Sequence, residues 1–255
     1  MSGPARGWDG AAYDRLSTPM QAMGLEVLDR LPLAGDETVI DAGCGSGRVT
    51  EALVERLPRG RAIGVDGSPS MIEAARERLG DRAELHVADL LELDLGVEAD
   101  AILSTATFHW IADHERLFAR LRAHLRDGGR LEAQCGGQDN IANVHAAAEA
   151  TIATERFAPH FASWQRPWLF AAPVETEQRL RAAGFSEAEA SLMERPVTPE
   201  DPHAYLTEIN LGAHLERLPE PLRAPFVDEV VQRLGGRVGG TISIGYVRLN
   251  ITARA

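Results

Sequence analysis

Short apolar runs alternate with stretches of helical spacing over the first two-thirds of the chain. Residues 38–41 are a compact β-like run that leads into glycines, and residues 48–57 follow with Val49, Leu53 and Leu57 on one helical stripe. Residues 61–66 are the next strand. Residues 70–79 predict a helix with Ser68 as its N-cap and Pro69 in its first position, where a missing N–H is tolerated. Residues 84–88 and 99–105 are a third and a fourth strand. Residues 114–125 are a helix that stops at Asp127-Gly128-Gly129, and 130–134 are a fifth strand. This alternation predicts right-handed βαβ units and a parallel sheet, with ligands bound at the carboxyl ends of the strands.

The pattern changes after Gly137. Residues 140–161 read as helix, and 164–170 are rich in aromatics. Residues 175–183 form a helix closed by Gly184, and 187–195 a sixth strand. Residues 198–234 look helical, broken by Pro219, Pro221 and Pro225, and 242–253 give a final strand. The expected division is a core with an N-terminal helical segment (1–137) and a helical lid insertion (138–174). A return to the core (175–197), a second helical insertion (198–240) and a last core strand (241–255) follow.

Composition narrows the chemistry. All 26 basic residues are arginine, which excludes a Schiff-base lysine and the lysine of a phosphate-binding P-loop. The formal net charge of -12 argues against a nucleic-acid surface. Cys44 and Cys135 lack metal-ligand spacing, so no metal site is expected. No stretch resembles a signal peptide or a membrane span. A cytoplasmic protein, monomer or homodimer, is the expectation.

The strand ends carry the candidate chemistry. Val39-Ile40-Asp41-Ala42-Gly43-Cys44-Gly45-Ser46-Gly47 ends a strand in an acid and opens a helix through glycines, which let a ligand approach the backbone. Arg48 fills the position that the dinucleotide fingerprint needs small. Asp41 would also repel a pyrophosphate, but it suits a cofactor with an amino group and a sulfonium. Gly64-Val65-Asp66-Gly67-Ser68 places an acid where it can accept from two ribose hydroxyls. Val87-Ala88-Asp89-Leu90 could read an adenine edge, with a helix cap as the competing reading of Asp89. Ser104-Thr105-Ala106-Thr107-Phe108-His109-Trp110 follows the fourth strand.

Together these segments resemble the class I S-adenosylmethionine-dependent methyltransferases. Trp8, Tyr13, Gln21, the run 65–72 and Phe108-His109-Trp110-Ile111 further resemble the trans-aconitate and juvenile hormone acid methyltransferase group. The resemblance implies an α/β, Rossmann-like, doubly wound and mostly parallel seven-stranded sheet with a reversed final hairpin. It implies S-adenosylmethionine as cofactor, with Asp41 and Gly43 near its methionine part and Asp66 on its ribose. Asp89 and Leu90 would lie at the adenine, with Met71 against its face. Tyr13, Gln21, Cys44, Gly45, Gly67, Ser68, Ala88, Thr105 and Trp110 complete the expected cofactor site. Gln21 and Trp110 match the positions that hold a substrate carboxylate in the juvenile hormone enzymes.

The expected reaction is methyl transfer to a carboxylate oxygen of a small molecule. A carboxylate is already ionised at neutral pH, its pKa being about 4, so it needs no general base. Alignment alone can contribute about 7–11 kcal/mol. Gln21, His109 and Trp110 are therefore expected as positioning groups, with His109 a pocket wall. Arg166, Arg195 and Arg237 are candidate anion partners. Trp164, Trp168 and Phe170 read as hydrophobic lid packing, with a substrate pocket as the other reading. His145, His160, His203 and His214 read as structural or solvent-facing. Two alternatives stay open: an O-, N- or C-acceptor of another small metabolite, and a non-catalytic cofactor-binding module.

Overall fold

The computed structural model describes residues 18–235 and 241–255. Tyr13, Trp8 and Arg237 lie outside them. The strands are β1 (Thr38–Ala42), β2 (Arg61–Asp66), β3 (Glu84–Val87), β4 (Ala99–Thr105), β5 (Leu125–Gly136), β6 (Glu187–Glu194) and β7 (Val247–Arg254). They form one sheet in the order β3-β2-β1-β4-β5-β7-β6. The first five run parallel, and β7 lies antiparallel between β5 and β6. The fold is thus α/β and Rossmann-like. From β1 the chain winds outward first through β2 and then through β4, so the strand order reverses at the carboxyl ends of β1 and β4, where such sheets bind ligands.

Helices α1 (Thr18–Arg30) and α2 (Arg48–Glu55) cover one face, and α4 (His114–Ala123) and α6 (Pro173–Ala182) the other; α3 (Pro69–Leu79) follows β2. Neighbouring residues of β1 divide between the faces. Ile40 joins Ile102, Leu117, Phe118, Leu131 and Leu180, whereas Val39 joins Val27, Leu28, Leu53 and Leu103. Burial on both sides explains why the central strands are continuous apolar runs without polar alternation. Gly24 lets α1 lie close on α2, since a Cβ there would come within 2.7 Å of Val49 Cγ2. A third apolar cluster belongs to the later helices and unites Val144, Phe157, Leu211, Phe226, Val230 and Ile244. It is built from α5 (Ala142–Ile152), α7 (Pro202–Tyr205), a π-helical turn (Leu206–Asn210), α8 (Gly212–Leu215) and α9 (Glu220–Arg233).

Several predicted boundaries move. The helix expected over 140–161 is α5 followed by a 3-10 turn at Ala158–His160. Thr151 Oγ1 bonds back to the Ala147 carbonyl and Thr154 Oγ1 to that of Thr151, so side chains compete with the ladder where it ends. Pro225 does not break α9; the bond it removes would fall on Pro221, in the first turn. The final strand starts at Val247 rather than at 242, with only an isolated bridge between Val197 and Ile244 before it. Strand β5 is longer than 130–134 because Leu125 already pairs with Ala99 across a register shift. Among the described residues no helix is long and apolar enough to cross a membrane.

Phe118 is fully buried and meets Phe108 edge-on at 5.9 Å. Phe118→Ala should cost about 3–5 kcal/mol in urea denaturation, the usual range for emptying a core aromatic. A cost under about 1 kcal/mol would show that this core collapses around the loss.

Candidate active site

Asp41 is the next-to-last residue of β1, and its carboxylate is wholly enclosed. Thr50 on α2 donates to Oδ2 at 2.7 Å. Oδ1 is buried with no hydrogen-bond partner. Burial raises the Asp41 carboxyl to about 6; the Thr50 bond opposes the rise and the nearby Asp66 charge adds to it. The turn that follows is stapled to β2, because the amides of Gly43 and Cys44 both donate to the Val65 carbonyl, at 2.7 and 3.0 Å. Gly43 has φ +86°, and a Cβ there would fall 2.1 Å from Thr107 Oγ1. Gly45, at φ +54°, has open space where a Cβ would stand. Cys44 is buried, and burial holds its thiol well above the usual range, so it is an inert packing residue.

At the tip of β2, Asp66 accepts the Gly45 amide on Oδ2 at 3.0 Å and the Ser68 amide on Oδ1 at 2.8 Å. Burial raises its pKa while these two bonds oppose the shift. Each oxygen keeps a second lone pair for a hydroxyl donor. Gly67 is exposed between Asp66 and the buried Ser68, which caps α3 through a long bond from the Met71 amide, 3.5 Å. Met71 itself is buried. After β3 the Ala88 amide donates to the Asp66 carbonyl at 3.0 Å. Asp89 is exposed and caps the 3-10 turn Leu90–Glu92 through the Leu91 amide at 2.9 Å. The Leu90 side chain turns into the core. The cap reading of Asp89 is therefore realised, and any contact with an adenine from Leu90 would be through its backbone.

Thr105 closes β4, and Ala106 next to it holds φ +55°, a left-handed conformation rare for a non-glycine residue. Thr107 Oγ1 lies 2.9 Å from the Thr105 carbonyl and 3.2 Å from the Gly43 carbonyl, so its one proton is shared between the β4 exit and the glycine turn. The 3-10 turn Phe108–Trp110 is held by His114 Nε2, 2.9 Å from the Phe108 carbonyl. His109 is buried, and its Nδ1 accepts the Gly136 amide at 3.3 Å. Burial lowers its pKa to about 3, with the charge of Arg248 and His114 adding to the fall. A ring that accepts at Nδ1 carries its proton on Nε2. Trp110 is partly exposed and meets Trp168 edge-on at 6.2 Å.

Gln21 stands half-buried on α1, and its Oε1 accepts from Arg48 Nη2. Arg166 is engaged by Glu149 and Arg195 by Glu26, so neither anion candidate faces the strand tips unpartnered. Sequence reasoning missed Thr50, Thr107 and Arg248. Arg248 had a signal: Arg248, Asn250 and Thr252 alternate along β7, which the sheet order places between two other strands. Of the two readings of His145, structural or solvent-facing, the structure takes the first: the ring stacks on Trp168 at 4.9 Å and 10°.

A methyltransferase-domain family model matches residues 39–129. The trans-aconitate 2-methyltransferase of Methylobacterium nodulans is 35% identical over 185 residues, 72% of this chain and 67% of that protein. The one from Variovorax paradoxus is 29% identical over 258 residues, 97% of this chain and 98% of that protein. For the Azoarcus sp. enzyme, 38% identical over 127 residues, the match spans about half the length of each. Among solved structures, phosphoethanolamine N-methyltransferase 2 of Haemonchus contortus with S-adenosyl-L-methionine superposes with TM-score 0.62 at 18% identity, over 96% of this chain and 56% of that one. The chain belongs to the class I S-adenosylmethionine-dependent methyltransferases, in the group of the trans-aconitate methyltransferases. The residues fit that cofactor: a partnerless buried carboxylate oxygen, an open glycine and a second acid with spare acceptors stand together at the ends of β1 and β2.

Asp41 binds its proton more tightly in the folded chain than in the unfolded one. It therefore withdraws stability as the pH rises from about 4 to about 6, and the cost persists above that. Asp41→Asn removes the charge and keeps an acceptor for Thr50, at the expense of a buried amide. Without cofactor the variant should be more stable than the wild type at pH 7.5 by about 1–2 kcal/mol in urea, the gap closing toward pH 4. A less stable variant at pH 7.5 would mean that the carboxylate is already compensated.

Proposed function

We propose that this chain methylates a carboxylate oxygen of a small acid, using S-adenosylmethionine and producing a methyl ester. The observation that carries the reading is the pair of acids at adjacent strand ends, the buried Asp41 with one bare oxygen and the half-buried Asp66 with spare acceptors, each raised by burial. Two such groups favour a cationic ligand that also brings hydroxyls. When bound, the cofactor supplies an electrophilic methyl group on a positively charged sulfur. Asp66 takes the ribose hydroxyls. Asp41, with the backbone of Gly43, Cys44 and Gly45, takes the amino-acid end. Met71, with the backbone of Ala88 and Leu90, takes the adenine, and Asp89 shapes that turn. Thr105 completes the enclosure.

Two observations favour a carboxylate acceptor. First, the curated relatives are by name trans-aconitate 2-methyltransferases, which act on an acid. Second, His109 is neutral and its Nδ1 is occupied by the Gly136 amide, so it serves as a donor and a wall. An ionised acid needs no proton removed: its oxygen forms the new bond to the methyl carbon while the electron pair of the breaking bond stays on sulfur. Gln21, fixed through Oε1 by Arg48, presents its amide N–H groups to the acceptor, and Trp110 walls it.

Asp66→Ala removes acceptors for two ribose hydroxyls, at about 1.5–3 kcal/mol each. Calorimetry should record a loss of at least about 100-fold in cofactor affinity; unchanged affinity would defeat the assignment. His109→Gln should keep turnover within a few-fold across pH 6–9. A loss of several orders of magnitude, rescued at high pH, would instead make His109 the base.

A further inference from the structure

The turn that carries His109 and Trp110 is pinned by a buried ring from the next helix. His114 is the first residue of α4 and is 3% exposed. Asp113 caps the helix through the Arg116 amide at 3.0 Å, which sets where His114 stands. His114 Nε2 lies 2.9 Å from the Phe108 carbonyl, which also accepts the Ile111 amide at 3.0 Å. A carbonyl only accepts, so Nε2 carries the proton and Nδ1 is bare. Two further bonds hold the turn. The Trp110 amide donates to the Thr107 carbonyl at 2.9 Å, and the His109 carbonyl takes the Leu169 amide at 2.8 Å.

Stability does not explain a histidine there. Nδ1 is buried with no hydrogen-bond partner, and an acceptor so enclosed is destabilising. Burial lowers the His114 pKa and the Phe108 bond opposes the fall; the charge of Arg179 on α6 adds to it, and that of Asp113 opposes it. The ring is therefore neutral at neutral pH. It meets Phe118, four residues on, at 5.5 Å, and Phe118 meets Phe108 edge-on. A phenylalanine would pack in that apolar setting without a bare acceptor. What it could not supply is the N–H that Phe108 receives. A buried polar group left half-satisfied calls for a reason, and the single hydrogen bond of this ring goes to the turn at the acceptor side. A cavity of about 320 Å³ opens beside His114, lined also by Ala112, Asp113, Glu115 and Arg179. A small ring can reach the position from solvent by that route.

We propose that His114 is a positioning residue for methyl transfer: its Nε2–H fixes the Phe108 carbonyl and so holds His109 and Trp110 in place against the acceptor. The proposal rests on the reading that those two side chains wall the acceptor, and it adds the group that aligns them. The turn is only three residues long, so it cannot tilt at its first carbonyl without breaking that bond. Displacement at sulfur needs the acceptor oxygen in line with the S–CH₃ bond, and a misplacement of about 1 Å can lower the rate about 100-fold. His114 acts through Phe108, so its loss belongs in kcat rather than in cofactor affinity.

The test uses variants of the full chain with trans-aconitate as acceptor, the methyl ester being followed by mass spectrometry at saturating S-adenosylmethionine. His114→Phe fills the space without a donor and should lower kcat by about 10- to 100-fold. Its S-adenosylhomocysteine affinity by calorimetry should stay within about twofold of the wild type. His114→Gln, whose amide nitrogen stands as many bonds from Cβ as Nε2 does, should recover most of kcat. His114→Asn, one bond shorter, should not. In His114→Ala, added imidazole should restore turnover, whereas thiazole, a ring of like size without an N–H, should not. Hydrogen exchange over 107–112 gives a readout free of the acceptor: it should be faster in His114→Phe than in the wild type, and normal in His114→Gln. A folded His114→Phe enzyme with wild-type kcat overturns the proposal. So does equal rescue by thiazole, which would make His114 a filler of space, and so does unchanged exchange over 107–112. Should His114→Phe not fold, the Ala and Gln variants carry the same decision. A wild type that methylates no acid overturns the carboxyl reading alone, and the exchange measurement then decides on His114.

Discussion

Two carboxylates at the ends of adjacent parallel strands, Asp41 buried and Asp66 half-buried, are an unfavourable thing to fold around. Asp41 has a single hydrogen bond and a bare oxygen, and Asp66 relies on two backbone amides. The surrounding geometry exists to hold that pair in place. Thr50 must project from α2 to reach Asp41, which requires the turn before α2 to be short. The turn is short because Gly43, Gly45 and Gly47 each take positive φ. Gly43 can take no side chain because Thr107 occupies the volume, so the exits of β1 and β4 are locked together. Fully buried apolar residues on both faces of β1 offset what the acids cost.

The acceptor side follows the opposite electrostatic rule. Around the tips of β4 and β5 the histidines are neutral by burial, and the buried charge is a cation, Arg248. The ends of β1 and β2 are thus acidic, whereas those of β4 and β5 carry neutral rings and a cation. That division suits a displacement between an anion and a sulfonium, because it brings oppositely charged reactants together without proton transfer.

Much of the cofactor half was legible from local signals. Strands buried on both faces are recognisable as short apolar runs, and an acid followed by glycines marks a strand tip without knowledge of the fold. Ser68 and Pro69 announced α3 correctly for the same reason. The cap was less legible, because its helix ends depend on Thr151 and Thr154 choosing backbone partners, and Pro225 is tolerated only because Pro221 sits in the first turn. Asp89 illustrates a real ambiguity: one residue type serves a cap and a ligand equally well, and sequence cannot choose. Arg248 was hidden because alternating polar residues imitate an exposed strand face. Only the sheet order, and Arg30 of α1 reaching Glu132 on the same face of β5, shows that this face is covered.

The cap has its own apolar cluster, so its residues can change without disturbing the cofactor half. Helix α1 links the two parts: Met20 packs with the cap cluster, whereas Val27 and Leu28 belong to the sheet. Gln21 follows Met20 directly and is tied to Arg48 at the start of α2. A shift of the cap would therefore be felt at Gln21 through its neighbour, while the sheet end of α1 stays anchored. Cap packing can thus tune the acceptor end of the crevice without moving Asp41 or Asp66, which is the separation a family needs if one methyl donor is to serve many acids.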